Sequence, residues 1–356
     1  MARTIRLLDL GPVPPVRSQT VYHAVAHAFD AETPDTIILV APSAPYVCIG
    51  YHQELEKEVD TAYCAEAGLP IFRREVGGGA VYLDHNQLFA QWVFRRSALP
   101  AELEARFELY IRPLVETYRR LGIEAYLRPI NDVQVAGRKI GGTGAMAAGE
   151  AEVLVGSLMF DFNSELMARV LKVSSEKMRD KVFQSLQEYM TTMRRELGAA
   201  PERGTVTAIY LERCAAALGA EIVPGALSER EEALARELDE RFAGDEWLGQ
   251  KGGLRQSGVK IHEDVRVVEG AHKAPGGLIR VTARLRSGWV DDVSLSGDFT
   301  VFPALAVGAL EQALRGIPVE AEALGAALRE AYRAMSIQSP GVAPEDLVRA
   351  VLVAAG

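Results

Sequence analysis

The sequence predicts an α+β protein of two domains, a mixed-sheet amino-terminal domain and a small α+β carboxy-terminal one. Three observations carry this. At 356 residues the chain exceeds one ordinary core. Short β-rich runs and amphipathic segments follow one another without strict β-α-β alternation. Four glycines between Gly249 and Gly258 (GQKGGLRQSG) mark a shift in composition. The first domain is therefore expected over 1–247 and the second over 248–356, with a linker at about 248–258.

The elements follow in order. After an opening strand, Ser18 to Phe29 (SQTVYHAVAHAF) has helical apolar spacing behind a Ser/Thr cap. Thr36 to Val40 (TIILV) and Tyr46 to Ile49 (YVCI) are β-rich and separated by prolines. Thr61 to Ala67 reads as helix and Pro70 to Arg73 as extended chain. Gln87 to Phe94 (QLFAQWVF) is apolar enough for a strand buried on both faces. A helix over Glu102 to Leu121 ends at Gly122, and strands are expected at Asp132 to Val135 and Val153 to Phe160. Ser164 to Leu171, Ser175 to Leu186, Val206 to Leu218 and the charged Ser228 to Phe242 are helical by periodicity. Beyond the linker come three strands, Val265 to Val268, Leu278 to Leu285 and Val290 to Leu295, and two apolar closing helices.

Composition excludes several classes. With 39 basic and 48 acidic side chains the net charge is -9, which disfavours a general nucleic-acid binder. No run has the length of a signal-peptide core or a membrane span, so a cytoplasmic protein with no membrane partner is expected. Cys48, Cys64 and Cys214 lack CxxC spacing and read as buried free thiols, not a disulfide or zinc framework. His23 and His27 are four apart on a helix, but no HExxH surrounds them, so packing or surface histidines are expected. The Met and Arg face of Tyr189 to Glu196 (YMTTMRRE) reads as ordinary surface.

Two segments carry chemistry. In Arg73 to Tyr82 (RREVGGGAVY) two arginines lead into three glycines, where backbone N–H groups without any Cβ can converge on an anion. In Asn131 to Gly144 (NDVQVAGRKIGGTG) a lysine, Lys139, stands among glycines on a hairpin, and a compact cation there suits an acyl-phosphate. Taken singly, each has a plain alternative: a turn between strands, and a solvated hairpin lysine. Gly142 to Ala147 also spells G-x-G-x-x-A, but it leads toward a strand, not a helix, which rejects a dinucleotide fold.

Together these segments resemble the lipoate-protein ligase A family, within the biotin/lipoate ligase and octanoyltransferase superfamily. The family's RRxxGGGAVxxD is matched by Arg73 to Asp84, its ND pair by Asn131-Asp132, and its GRK(I/V)xG by Gly137 to Gly142. Val47 to Gln53 (VCIGYHQ) and Gly156 to Asp161 (GSLMFD) look like its flanking strands. Ser287 to Phe299 (SGWVDDVSLSGDF) with Leu314-Arg315-Gly316 looks like its accessory domain. The chain departs from the family at Val76, Gly141, Met146, Val155 and Asn86-Gln87, which implies a variant branch.

The resemblance implies a biotin/lipoate ligase type of catalytic domain, a mixed sheet with helices on one side. It also implies ATP-dependent ligation of lipoate or octanoate, through an acyl-adenylate, to a lysine of a lipoyl carrier domain. Such carriers are the acyltransferase subunit of a 2-oxoacid dehydrogenase or the glycine cleavage H protein. Lys139 would be the catalytic cation. Arg74, Val76, Gly77, Gly78, Gly79 and Ala80 would bind the acyl and phosphate groups. Asn131, Asp132, Lys139 and Gly142 would bind the nucleotide, with Asp132 a candidate ligand for the Mg²⁺ that accompanies ATP. The rivals are a cysteine-dependent octanoyltransferase drawing on acyl carrier protein and a non-catalytic carrier-binding protein. A biotin ligase lacks support, because its GRGRRG-type loop is absent.

Overall fold

The computed structural model describes residues 3–129, 131–251, 260–262, 265–303 and 305–356. The centre of the expected linker, 252–259, lies outside the described residues. The chain forms two compact units. One comprises Met1–Cys48, Val59–Arg74 and Val81–Gly244; the other comprises Ile49–Glu58, Glu75–Ala80 and Asp245–Gly356.

The first unit is built on an eight-stranded mixed sheet. Its strand order is Ala220–Pro224, Arg3–Val13, Thr36–Pro42, Gln87–Arg95, Ala151–Met159, Arg138–Ala148, Asp132–Val135 and Ala125–Arg128. Arg3–Val13 runs parallel to both of its neighbours, and the remaining pairs are antiparallel. A three-stranded sheet orders Ile71–Arg73, Tyr46–Ile49 and Val81–Leu83.

Gln87–Arg95 lies at the centre and is buried along both faces, as its unbroken apolar run predicts. Successive strand residues point to opposite faces, and Gln91 and Trp92 show what covers each. Gln91 donates to the Ser18 carbonyl on helix Arg17–His27 at 2.9 Å. Trp92 donates to the Tyr210 hydroxyl on helix Arg203–Leu218 at 3.0 Å and meets Tyr110 of helix Leu103–Arg120 edge to face. Helices thus cover both faces, which corrects the expectation of helices on one side; a strand apolar on both faces already demanded that cover.

Helix Arg17–His27 packs on helix Glu229–Ala243, whose Ser228 cap and Glu231 close a reciprocal capping box. Buried His23 packs against Phe242 of that helix at a ring separation of 5.4 Å.

Three strands escape pattern reading. Ala125–Arg128 and Ala220–Pro224 are short edge strands. Arg138–Ala148 (RKIGGTGAMAA) has too many small residues to show alternation, yet neighbours on both sides hold it in the sheet. The G-x-G-x-x-A pattern lies wholly inside this strand, so no strand-to-helix phosphate turn exists there.

In the second unit an antiparallel sheet orders Lys260–His262, Val265–Ala274, Gly277–Arg286 and Trp289–Gly297. Helices Ala306–Leu314, Ala321–Ala334 and Pro344–Ala355 close the chain. Beyond the expected linker, the described residues form four strands and three helices in place of the expected three and two. The additional strand is only three residues long, and the additional helix is alanine-rich with a charged face. Ile279, Val281, Leu295 and Phe299 of the sheet side meet Leu310, Leu324, Leu328 and Val351 of the helices in one core. Gly270 permits the last helix to approach, since a Cβ there would sit 2.5 Å from the Ala354 nitrogen. Among the described residues no helix is long and apolar enough to cross a membrane.

Candidate active site

Lys139 owes its setting to a hairpin. Val135 pairs with Arg138 across a two-residue turn, and both turn residues, Ala136 and Gly137, hold positive φ (47° and 80°), as a primed turn requires. The register shifts between Val133 and Gln134, where the facing strand carries one extra residue. Such a bulge re-aims side chains, so Lys139 and Gly142 share a face although three positions apart. The lysine lies along the strand: a Cβ on Gly142 would stand 2.9 Å from Lys139 Nζ and 3.0 Å from its Cε.

Asp132, paired with Gly142 on the neighbouring strand, receives Lys139 Nζ on Oδ1 at 2.7 Å. Its other oxygen accepts the Tyr189 hydroxyl at 3.4 Å and faces Arg128 at 3.5 Å. The Lys139 carbonyl accepts the Thr191 N–H at 2.8 Å, tying the hairpin to the chain that follows helix Glu176–Tyr189. Asn131 works through its backbone and amide alike. Its carbonyl accepts from Thr143 N–H and Oγ1, each at 2.9 Å, and its Nδ2 donates to the Thr143 carbonyl at 2.8 Å. Lys139, Asp132, Gly142 and Asn131, which the resemblance groups together, thus lie side by side on the hairpin and its neighbouring strand. Arg128, four positions before Asp132, and Tyr189, from the end of helix Glu176–Tyr189, join them without any sequence signal.

The triple glycine belongs to a different assembly, within the second unit. Three stretches remote in sequence meet there: Gly50–Glu54, Val76–Gly78 and Ser296–Phe299. Tyr51 N–H donates to the Val76 carbonyl at 3.1 Å, Gly297 N–H to the His52 carbonyl at 3.1 Å, and Gly78 N–H to the Phe299 carbonyl at 3.4 Å. The His52 ring stacks on Phe299 with centroids 5.3 Å apart. Glycine stands at the closest approaches. A Cβ on Gly50 would fall inside van der Waals contact of the Gly78 carbonyl oxygen, and one on Gly77 would lie 2.8 Å from the Phe299 carbonyl oxygen. Gly78 itself has φ 96°, in the left-handed region.

Val76 is buried here, Ala80 is half-buried, and Gly79 lies beside Asp298. In the first unit Arg74 reaches the Cys48 carbonyl at 3.4 Å. The sequence singled out the segments Val47–Gln53 and Ser287–Phe299, which hold Gly50, His52 and Ser296, without showing that they meet the triple glycine, and it gave no sign of Glu54.

All three thiols are buried. Burial pushes the Cys64 thiol up to about 11, helped by the Asp60 charge. It likewise raises Cys214, and it raises Cys48 despite the opposing Arg74 guanidinium. None is poised to ionise near neutral pH.

The mixed sheet thus presents, on a glycine-rich hairpin, a lysine ammonium held by one carboxylate. The family model "Lipoyl protein ligase A/B catalytic domain" matches residues 15–215, and the chain belongs to that family. It is an enzyme of the lipoate ligase and octanoyltransferase group.

The octanoyltransferase LipM of Kyrpidia tusciae is 28% identical over 273 residues, covering 70% of this chain and 100% of that protein. Lipoate-protein ligase A subunit 1 of Thermoplasma acidophilum is 31% identical over 213 residues, covering 56% of this chain and 79% of that one. A solved bi-partite lipoate protein ligase, described with its E2 lipoyl domain, from Thermoplasma acidophilum aligns with a TM-score of 0.63 at 26% identity. The alignment covers 73% of this chain and all of that one.

Proposed function

We propose that the protein activates octanoate or lipoate with ATP, forming an acyl-adenylate and pyrophosphate, and then acylates a lysine of a lipoyl carrier domain. The observation that carries this reading is the burial of Cys48, Cys64 and Cys214. A thioester route needs an accessible thiolate, and burial raises the pKa of each thiol here.

In the proposed first step a carboxylate oxygen of the acid attacks the α-phosphorus and pyrophosphate leaves. In the second, the carrier's neutral lysine amine attacks the acyl carbon, AMP leaves, and the amine proton passes to solvent. Neither step requires a protein nucleophile, because the adenylate is already a reactive mixed anhydride. Lys139 would stabilise the charge that builds on the α-phosphate and carboxylate oxygens. Following the family resemblance, Arg74, Val76, Gly77, Gly78, Gly79 and Ala80 would contact acyl and phosphate groups, and Asn131, Asp132 and Gly142 the nucleotide. Asp132 fits a counter-ion of Lys139 better than a magnesium ligand. One oxygen already holds the ammonium and the other faces Tyr189 and Arg128, whereas Mg²⁺ seeks an open octahedral set of oxygens.

The carrier is supported by kinship: the Thermoplasma ligase is described with an E2 lipoyl domain. A glycine cleavage H protein presents the same class of acceptor. The second reading, an octanoyltransferase, is favoured by the similarity to LipM along that protein's whole length. Mass spectrometry of a lipoyl domain separates the two readings. The protein is incubated with octanoate and ATP, or with octanoyl-acyl carrier protein alone. Ligation predicts acylation only in the first mixture, unaffected by combined Cys48→Ser, Cys64→Ser and Cys214→Ser substitution; acylation only in the second, lost in that variant, would select the transferase.

A further inference from the structure

The junction at the triple glycine is fastened by an ionic cluster on the carboxy-terminal sheet, part-exposed at Lys57 and Glu269 and buried at Glu54 and Ser296. Glu54 is 7% exposed, and its carboxylate accepts the hydroxyl of fully buried Ser296 at 2.7 Å. Lys57 Nζ straddles the same carboxylate, 3.3 Å from Oε1 and 3.2 Å from Oε2. The ammonium also reaches Thr282 Oγ1 at 3.0 Å and Glu269 at 3.3 Å, while Glu58 pairs with Arg280 at 2.9 Å. The short helix Leu55–Glu58, with Glu54 just before it, is thereby tied to three strands more than 200 positions away in the chain.

That fastening lies immediately beside the glycine contacts. Glu54 follows the turn in which Gly50 N–H donates to Gln53 Oε1 at 2.9 Å and Gln53 N–H to the Gly50 carbonyl at 3.1 Å. Gly50 is the residue against which the Gly78 carbonyl packs. Ser296 precedes Gly297 and Phe299, which bond to His52 and Gly78. A buried carboxylate is costly to desolvate unless its partners are well placed, so a carboxylate at this position argues for placement of those partners over mere filling of space.

We propose that Glu54 is a positioning residue: through Ser296 and Lys57 it fixes the Gly50–Gln53 turn, and through that turn the conformation of Val76–Gly79. The inference rests on reading Gly77–Gly79 as acyl- and phosphate-binding, so its effect falls on substrate affinity and spares the chemical step.

The test combines Glu54→Ala, Glu54→Gln and Ser296→Ala. Hydrogen–deuterium exchange at 75–80 reads the conformation. KM and kcat are measured with octanoate and ATP, and in parallel with octanoyl-acyl carrier protein. Glu54→Ala should speed exchange at these residues and raise KM for the acyl donor about tenfold, with kcat within about twofold. Glu54→Gln, which can still accept from Ser296, should recover most of the loss. Should Glu54→Ala fail to fold, Ser296→Ala carries the same expectation in milder form. Unchanged exchange, an unmoved KM, or a loss confined to kcat overturns the inference. If the wild type turns over only the thioester, the adenylation reading fails, and KM for octanoyl-acyl carrier protein together with exchange then decides the role of Glu54.

Discussion

The lysine hairpin and the triple-glycine junction use glycine for opposite ends. At Gly142 the missing Cβ makes room for a side chain, the ammonium arm of Lys139, which ends on Asp132. At Gly50 and Gly77 it makes room for another backbone, the carbonyls of Gly78 and Phe299. A flexible arm can move aside for a methyl group, whereas a hydrogen-bonded main chain cannot without breaking its partners. The first region should therefore answer substitution with lost activity, and the second with lost stability.

The largest effect is expected at the junction. Gly50→Ala forces a Cβ onto the Gly78 carbonyl and should cost about 4 kcal/mol in chemical denaturation. A cost below about 1 kcal/mol would mean that the junction yields as easily as the hairpin.

An ion pair outside both regions gives a calibration of comparable size. Glu231, 2% exposed, caps its helix and binds Arg6 at 2.5 Å. Burial would raise its carboxyl, but the Arg6 hydrogen bond and the Ser228 N–H outweigh it and hold the group below its ordinary 4.5. A depressed folded-state value means stability that is present above the unfolded value and lost as pH falls through the folded one. Glu231→Ala should thus cost about 3 kcal/mol at neutral pH, and much of the difference from wild type should vanish in acid well below pH 4.5. A pH-independent difference would contradict the assignment.

Gly142→Ala sharpens the other side of the comparison. The lysine arm should shift, acylation should fall about tenfold, and stability should change by less than about 1 kcal/mol. The smallest effect belongs to the hairpin turn. Ala136 holds φ 47°, which asparagine tolerates better, so Ala136→Asn should raise stability by about 0.5 kcal/mol with activity unchanged.

The two regions also differed in what could be read from sequence. The hairpin was legible because its parts are local. Asp132, Lys139 and Gly142 lie within a single stretch, and the I′ turn at Ala136-Gly137 brings them together. What could not be read was the strand character of Arg138–Ala148, whose glycines and alanines erase alternation, and the arrival of Tyr189 from a distant helix. The junction was visible only as separate segments, the glycine run, Val47–Gln53 and Ser287–Phe299, with nothing to say that they meet. Its partners Glu54 and Ser296 are 242 positions apart, and nothing in the spacing of either announces the other. The helical cover on both faces was implicit in the doubly apolar strand Gln87–Arg95, where it should have outweighed an expectation taken from kinship. The additional strand of the second unit, three residues long, falls below what periodicity resolves, whereas the additional helix carries a plain apolar stripe, with Leu324 and Leu328 buried four apart, and was legible.

The most direct test of the proposed chemistry is acid-dependent ATP–pyrophosphate exchange by the wild type and by Lys139→Ala. We expect exchange that requires octanoate or lipoate and that falls about 10²- to 10³-fold in the variant, with its unfolding midpoint unchanged. Contradiction would be exchange at the wild-type rate in Lys139→Ala, or no exchange with either acid while octanoyl-acyl carrier protein still acylates the lipoyl domain.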